Sequence, residues 1–108
     1  MKRIIPLILA LLLASCAPMT EGEKMISNGR KIFLRRCSPC HGVHAEGKPG
    51  IPSLKEVTDR FTDDAIRSFI KTGRGNAKPR MPPIRRISGQ EVTRVIIYLK
   101  TLKPEPAG

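Results

Sequence analysis

Cys37-Ser38-Pro39-Cys40-His41 sets two thiols three residues apart with an imidazole directly after the second. Within one helical turn, residues i, i+3 and i+4 share a face. Both cysteines can then form thioethers with the two vinyl groups of a haem, while His41 on the same face comes beneath the iron as an axial ligand. Two other chemistries use part of this pattern. Zinc needs four ligands, and outside the motif the only further cysteine and histidine are Cys16 and His44. A thioredoxin-like dithiol needs a strand-helix-strand setting that the flanking residues do not show, so it stands as the alternative to covalent haem.

The elements that must position these groups read as helices joined by loops. From Met25 to Arg36, Ile26, Gly29, Ile32 and Phe33 recur at helical spacing, so a first helix leads into the motif. Gly42 to Val57, with Gly42, Gly47, Pro49, Gly50 and Pro52, reads as loop. A second helix is punctuated by Thr62 as N-cap, Asp63 and Asp64 in its first turn, a Phe61–Ile66 staple and Gly73 as terminator, with Ile66, Phe69 and Ile70 as its buried face. A third starts at a Ser88–Glu91 capping box with an Ile87–Val92 staple. It carries Val92, Val95, Ile96, Leu99 and Leu102 as one stripe up to Pro104. Gly73 to Ile87, between the last two helices, is rich in Gly, Pro and Arg and holds Met81 near its middle. No internal repeat is visible.

The chain of 108 residues allows one small domain. Lys2-Arg3, the apolar run Ile4 to Leu13 and the small residues Ala14 and Ser15 form a secretory leader. Leu13-Ala14-Ser15-Cys16 resembles the bacterial lipoprotein box, in which the peptide before the cysteine is removed and the cysteine is lipidated. Ordinary cleavage after Ala14, leaving Cys16 a stray thiol, is the alternative. The expected organisation is a cleaved leader over 1–15, a lipidated start and polar tether over 16–24, a folded domain over 25–103 and a tail over 104–108. Removal of Lys2 and Arg3 lowers the formal charge from +11 to +9, which remains strongly basic. Three Phe, one Tyr and no Trp make a thin protein core, and a covalently held macrocycle would supply its apolar centre. Export makes nucleic acid an unsuitable partner for this charge, and no small-molecule substrate is expected.

From Met25 to Leu102 the chain resembles a class I cytochrome c. Gly29 and Phe33, Cys37 to Gly42, Gly50-Ile51-Pro52-Ser53-Leu54, Met81-Pro82 and Tyr98-Leu99-Lys100 fall in that family's order. The resemblance implies an all-α fold of three main helices and loops around one covalently attached haem c. In such proteins the first and last helices cross closely, which here sets Gly29 and Phe33 against Val95, Tyr98 and Leu99. It also implies that the carbonyl of Pro52 receives the Nδ1–H of His41, the simple turn proline being the alternative. Met81 is the candidate sixth ligand, because a soft, uncharged thioether favours ferrous iron and the flanking Pro79, Pro82 and Pro83 restrict its loop. His44, three residues past His41, is expected to be an exposed loop residue, and Lys78 is a rival ligand at high pH.

The implied function is that of a one-electron carrier between redox proteins of the bacterial envelope, facing the periplasm, held by lipid at Cys16 and not itself an enzyme. Ala17 replaces the aspartate that retains many lipoproteins at the inner membrane, which points to the outer membrane. Arg35 and Arg36, then Arg74, Lys78, Arg80, Arg85 and Arg86, form a basic rim suited to an acidic redox partner, with anionic lipid as a second use. Two other readings accompany the carrier: a gas-binding or redox-sensing haem module in which Met81 dissociates, and an electron-entry subunit of a larger oxidase or dehydrogenase.

Overall fold

The computed structural model describes residues 17–76 and 80–102. The leader, Cys16, Lys78, Pro79, Pro104 and the tail therefore lie outside the described residues. Five helices occur among the described residues: α1 Glu21–Arg36, α2 Ser38–His41, α3 Val57–Arg60, α4 Asp63–Thr72 and α5 Gly89–Leu99. Among the described residues there are two isolated bridges and no strand: Lys48 pairs with Ile51 and Arg74 with Met81. No described helix is long and apolar enough to cross a membrane.

Helix α1 begins four residues earlier than its apolar spacing predicts, so Glu21 to Lys24 form its first turn and not part of a tether. The cause is polar. Thr20 caps the helix by accepting from the Glu23 amide at 3.1 Å. Glu21 and Glu23 in the first turn, with Arg35 and Arg36 in the last, complement the helix dipole. Such a start leaves no trace in an apolar pattern.

Helices α1 and α5 make the centre of the fold. A Cβ built on Gly29 would lie 2.0 Å from the Arg94 carbonyl oxygen and 2.9 Å from Tyr98 Cβ, so hydrogen is the only side chain this contact admits. One turn further on, the Phe33 and Tyr98 rings pack at 5.4 Å between centroids, tilted by 51°. Ile32, Phe33, Val92, Val95, Ile96, Tyr98 and Leu99 are all buried here and join Ile66 and Ile70 of α4 in one cluster. The helix pair expected from Gly29, Phe33, Val95, Tyr98 and Leu99 is thus the observed one.

Helix α4 is bounded as its punctuation predicts: Thr62 accepts from the Ala65 amide at 3.1 Å, and Gly73 ends the helix at φ +77°. Phe69 is only half-buried, because it faces the cavity described below and not the α1–α5 core. Both bonds of the Ser88–Glu91 capping box are present at 3.1 Å. Helix α5 stops at Leu99, and Leu102 packs against the core from beyond its end. The single turn α3 was not expected, four residues being too few to show a period. Arg67 ties α4 to the start of α5 by donating to the Gly89 carbonyl at 3.2 Å and to Thr93 Oγ1 at 3.1 Å.

Candidate functional site

Helix α2 follows α1 almost without a break. Cys37 ends one and opens the other, donating its amide to Phe33 at 2.8 Å and accepting from His41 at 2.9 Å. Ser38 Oγ donates to the Leu34 carbonyl, satisfying one of the free carbonyls at the end of α1. Cys37, Cys40 and His41 consequently line one cavity of about 630 Å³, within the usual range for a small-molecule or cofactor site. Pro52 and Met81 line it too, together with apolar side chains that include Phe33, Leu54, Phe61, Ile66, Phe69, Ile70, Val95 and Leu99. The five residues read from the sequence as haem-binding, Cys37, Cys40, His41, Pro52 and Met81, therefore all line the same space.

The two thiols differ in setting. Cys37 is buried, and burial pushes its thiol up to about 11, against a smaller opposing effect of Arg36. Cys40 is exposed. A dithiol oxidoreductase needs one stabilised thiolate in its pair, and burial gives Cys37 none.

His41 Nδ1 lies 3.0 Å from the Pro52 carbonyl oxygen. A carbonyl can only accept, so the imidazole donates from Nδ1, and in its neutral form this leaves the lone pair on Nε2. Gly47 makes this approach possible. At φ +81° its amide donates to the His41 carbonyl at 2.7 Å, and a Cβ there would lie 2.9 Å from the Pro52 carbonyl carbon. The turn that carries Pro52 is fixed further by Ser53 Oγ and the Leu54 amide, both donating to the Ala45 carbonyl at 3.0 and 2.9 Å. His44 is exposed and outside the cavity, its amide donating to Glu46 Oε2 at 2.8 Å.

Met81 is half-buried, and its backbone pairs with that of Arg74. Four arginines, Arg36, Arg60, Arg74 and Arg80, line the cavity, and no carboxylate does so among the described residues. They are not simply a solvated rim. Arg36 donates to the Arg85 carbonyl, and Arg74 lies over Phe69 with 4.5 Å to the ring centroid. Arg60 and Arg74 both lie 5.5 Å from the Phe61 centroid. Arg60 and Phe61 were not singled out for the site in the sequence. They reach it through chain folding over long separations and leave no local signature.

The set fits a covalently held haem. Two thiols and an imidazole with a free Nε2 face a cavity whose other walls are mainly apolar, and a thioether enters it from a separate loop. A family profile described as cytochrome C oxidase, cbb3-type, subunit III matches residues 24–99, a span that contains all five of these site residues. The chain is 39% identical over 57 residues to cytochrome c-551 of Bacillus subtilis, covering 53% of this chain and 50% of that one. It is 36% identical over 74 residues to a cytochrome c-553-like protein of Synechocystis, covering 68% of this chain and 66% of that one. The matched regions thus span about half the length of the first relative and just under two thirds of the second. No solved structure matches.

Proposed function

The chain belongs to the family described as cytochrome C oxidase, cbb3-type, subunit III, and is a monohaem c-type cytochrome with covalently attached haem c; on that premise we propose that it is a one-electron carrier of the bacterial envelope. The observation that carries this reading is the convergence of Cys37, Cys40, His41 and Met81 on one apolar cavity, with Nδ1 of His41 tied to Pro52.

Each residue has a distinct part. Cys37 and Cys40 hold the macrocycle by thioethers. His41 offers Nε2 to the iron, and its bond to Pro52 fixes both the tautomer and the ring plane. Met81 would hold the iron through its thioether, and an iron so held would offer dioxygen or peroxide no ready place to bind. Phe33, Ile66, Ile70, Val95 and Leu99 keep water from the centre. The bound haem supplies a reversible one-electron change at iron. A site closed on both sides needs little rearrangement for that change, which suits a carrier and not a catalyst.

The net basic charge suits an acidic redox partner, and the lipoprotein box at Cys16 suits attachment to the envelope membrane, with Ala17 favouring the outer one. A second reading is supported by the family's description, which names an oxidase subunit: the chain would then serve as the electron-entry component of such a complex. Co-purification with a membrane oxidase through a high-salt wash distinguishes that case from a free carrier.

Ligation is tested on the purified holoprotein. The ferric form should show the weak near-infrared sulfur-to-iron band, and the ferrous form should bind carbon monoxide poorly at neutral pH. Met81→Ala should abolish the band, lower the potential and admit carbon monoxide. Rapid carbon monoxide binding by the unaltered protein would instead support the gas-sensing alternative.

A further inference from the structure

We propose that Arg74 is a positioning residue for Met81: its guanidinium, stacked on Phe69 and Phe61, holds the backbone pairing that sets where Met81 enters the cavity. The inference rests on Met81 being the sixth ligand, as proposed above.

Three observations converge on Arg74. The first is the contact between the end of α4 and the Met81 segment. Gly73 leaves the helix at φ +77°, and a Cβ there would lie 2.5 Å from the Met81 carbonyl oxygen and 2.8 Å from Pro83 N. The two stretches therefore meet backbone to backbone. The second is the pairing itself: the Arg74 amide donates to the Met81 carbonyl at 2.8 Å, and the Met81 amide donates to the Arg74 carbonyl at 3.3 Å. Among the described residues this is an isolated bridge, with no neighbouring rung to share its ordering cost.

The third observation is the side chain. Arg74 is half-buried, with its guanidinium 4.5 Å from the Phe69 centroid and 5.5 Å from that of Phe61, both within cation–π range. The two rings support one another edge to face, at 5.1 Å and 89°. Phe69 belongs to α4 and Phe61 caps the end of α3, so Arg74 is clamped to rigid structure by its side chain while its backbone holds Met81. Downstream of Met81 the loop is fixed separately, by the Ile84 amide donating to Ile70 at 2.8 Å. The upstream bridge has the Arg74 stack as its matching anchor.

The test uses the ferric holoprotein and exogenous imidazole, followed by absorbance at equilibrium. Imidazole reaches the iron only when Met81 is released, so its apparent affinity scales with the released population. Arg74→Ala should raise that affinity by about two- to thirtyfold, the range of a cation–π contact. Arg74→Gln, which keeps the length and loses the charge, should do the same and serves if the alanine variant does not fold. Arg74→Lys should recover part of the loss. In a Phe69→Leu background the effect of Arg74→Ala should shrink, because the ring it acts through is gone. Unchanged imidazole affinity in Arg74→Ala, or an undiminished rise in the Phe69→Leu background, overturns the proposal. Met81→Ala is the control for the reading beneath it. If that variant fails to raise imidazole affinity, the ligand assignment falls; if it does raise it while Arg74→Ala does not, only the role of Arg74 falls.

Discussion

Cys37 and Cys40 share a cavity but not an environment, the first being buried with a thiol pushed up to about 11 and the second exposed. A buried, protonated thiol is inert towards most electrophiles, so what keeps Cys37 useful is proximity to a partner held in the same space. Replacing both cysteines with alanine should release haem from the polypeptide, read as loss of peroxidase staining after denaturing electrophoresis. His44→Ala should leave the spectrum unchanged, since His44 is exposed and outside the cavity. At this scale the sequence was informative where chemistry is local: the five-residue motif, and the exposed loop position of His44. It placed Arg36 in a basic rim but was silent on its contact, the guanidinium reaching the Arg85 carbonyl across 49 residues.

Gly29 sits in the middle of α1, where glycine ordinarily weakens a helix relative to alanine by roughly 0.5–1 kcal/mol. Its contact with α5 reverses that preference, because an alanine Cβ would overlap the Arg94 carbonyl. Gly29→Ala should therefore destabilise the fold by about 1–3 kcal/mol. The thermal midpoint should fall by at least about 4 °C. At the start of α5, bonding to the Ser88 backbone, then to its hydroxyl, and the nearby Arg35 and Arg36 hold the Glu91 carboxyl below its ordinary value. A carboxyl lowered by folding adds stability above its unfolded value, and that contribution is lost as pH falls through the lowered value. Glu91→Gln should thus cost stability at neutral pH and much less near pH ~3, seen as converging thermal midpoints of the two proteins. Helices with caps were legible because caps and apolar periods are written within a few residues: Thr62 to Gly73 and Ser88 onward appear as read. The early start of α1 depends on Thr20 and acidic first-turn residues, and α3 on a single turn, neither of which makes an apolar stripe.

As a whole molecule, the protein wraps this cavity with walls drawn from α1, α2, the Gly50–Leu54 turn, α3, α4, the Met81 loop and α5, so no contiguous piece of chain could make the site alone. That division was only partly legible, since the resemblance pointed to the two ends of the wall and the arginine–aromatic part came from folding. The formal charge of +11, or +9 without the leader lysine and arginine, favours encounter with an acidic surface. Screening should remove that advantage as the Debye length falls from about 30 Å at 0.01 M to about 10 Å at 0.1 M. The second-order rate of electron transfer with the native partner should fall as salt rises. Arg85→Glu with Arg86→Glu should slow it at low salt and leave the haem spectrum intact, both side chains being exposed and the Arg85 carbonyl remaining available to Arg36. The start of α1 at Glu21 leaves only Ala17 to Thr20 between Cys16 and rigid structure. Four residues reach at most about 14 Å, less than the roughly 24 Å length of α1 itself. With the lipid at Cys16 that we propose, so short a leash would let the protein tip and turn but not drift from the bilayer. Its search for a partner would then be two-dimensional, open to proteins whose electron port rides close above the same membrane.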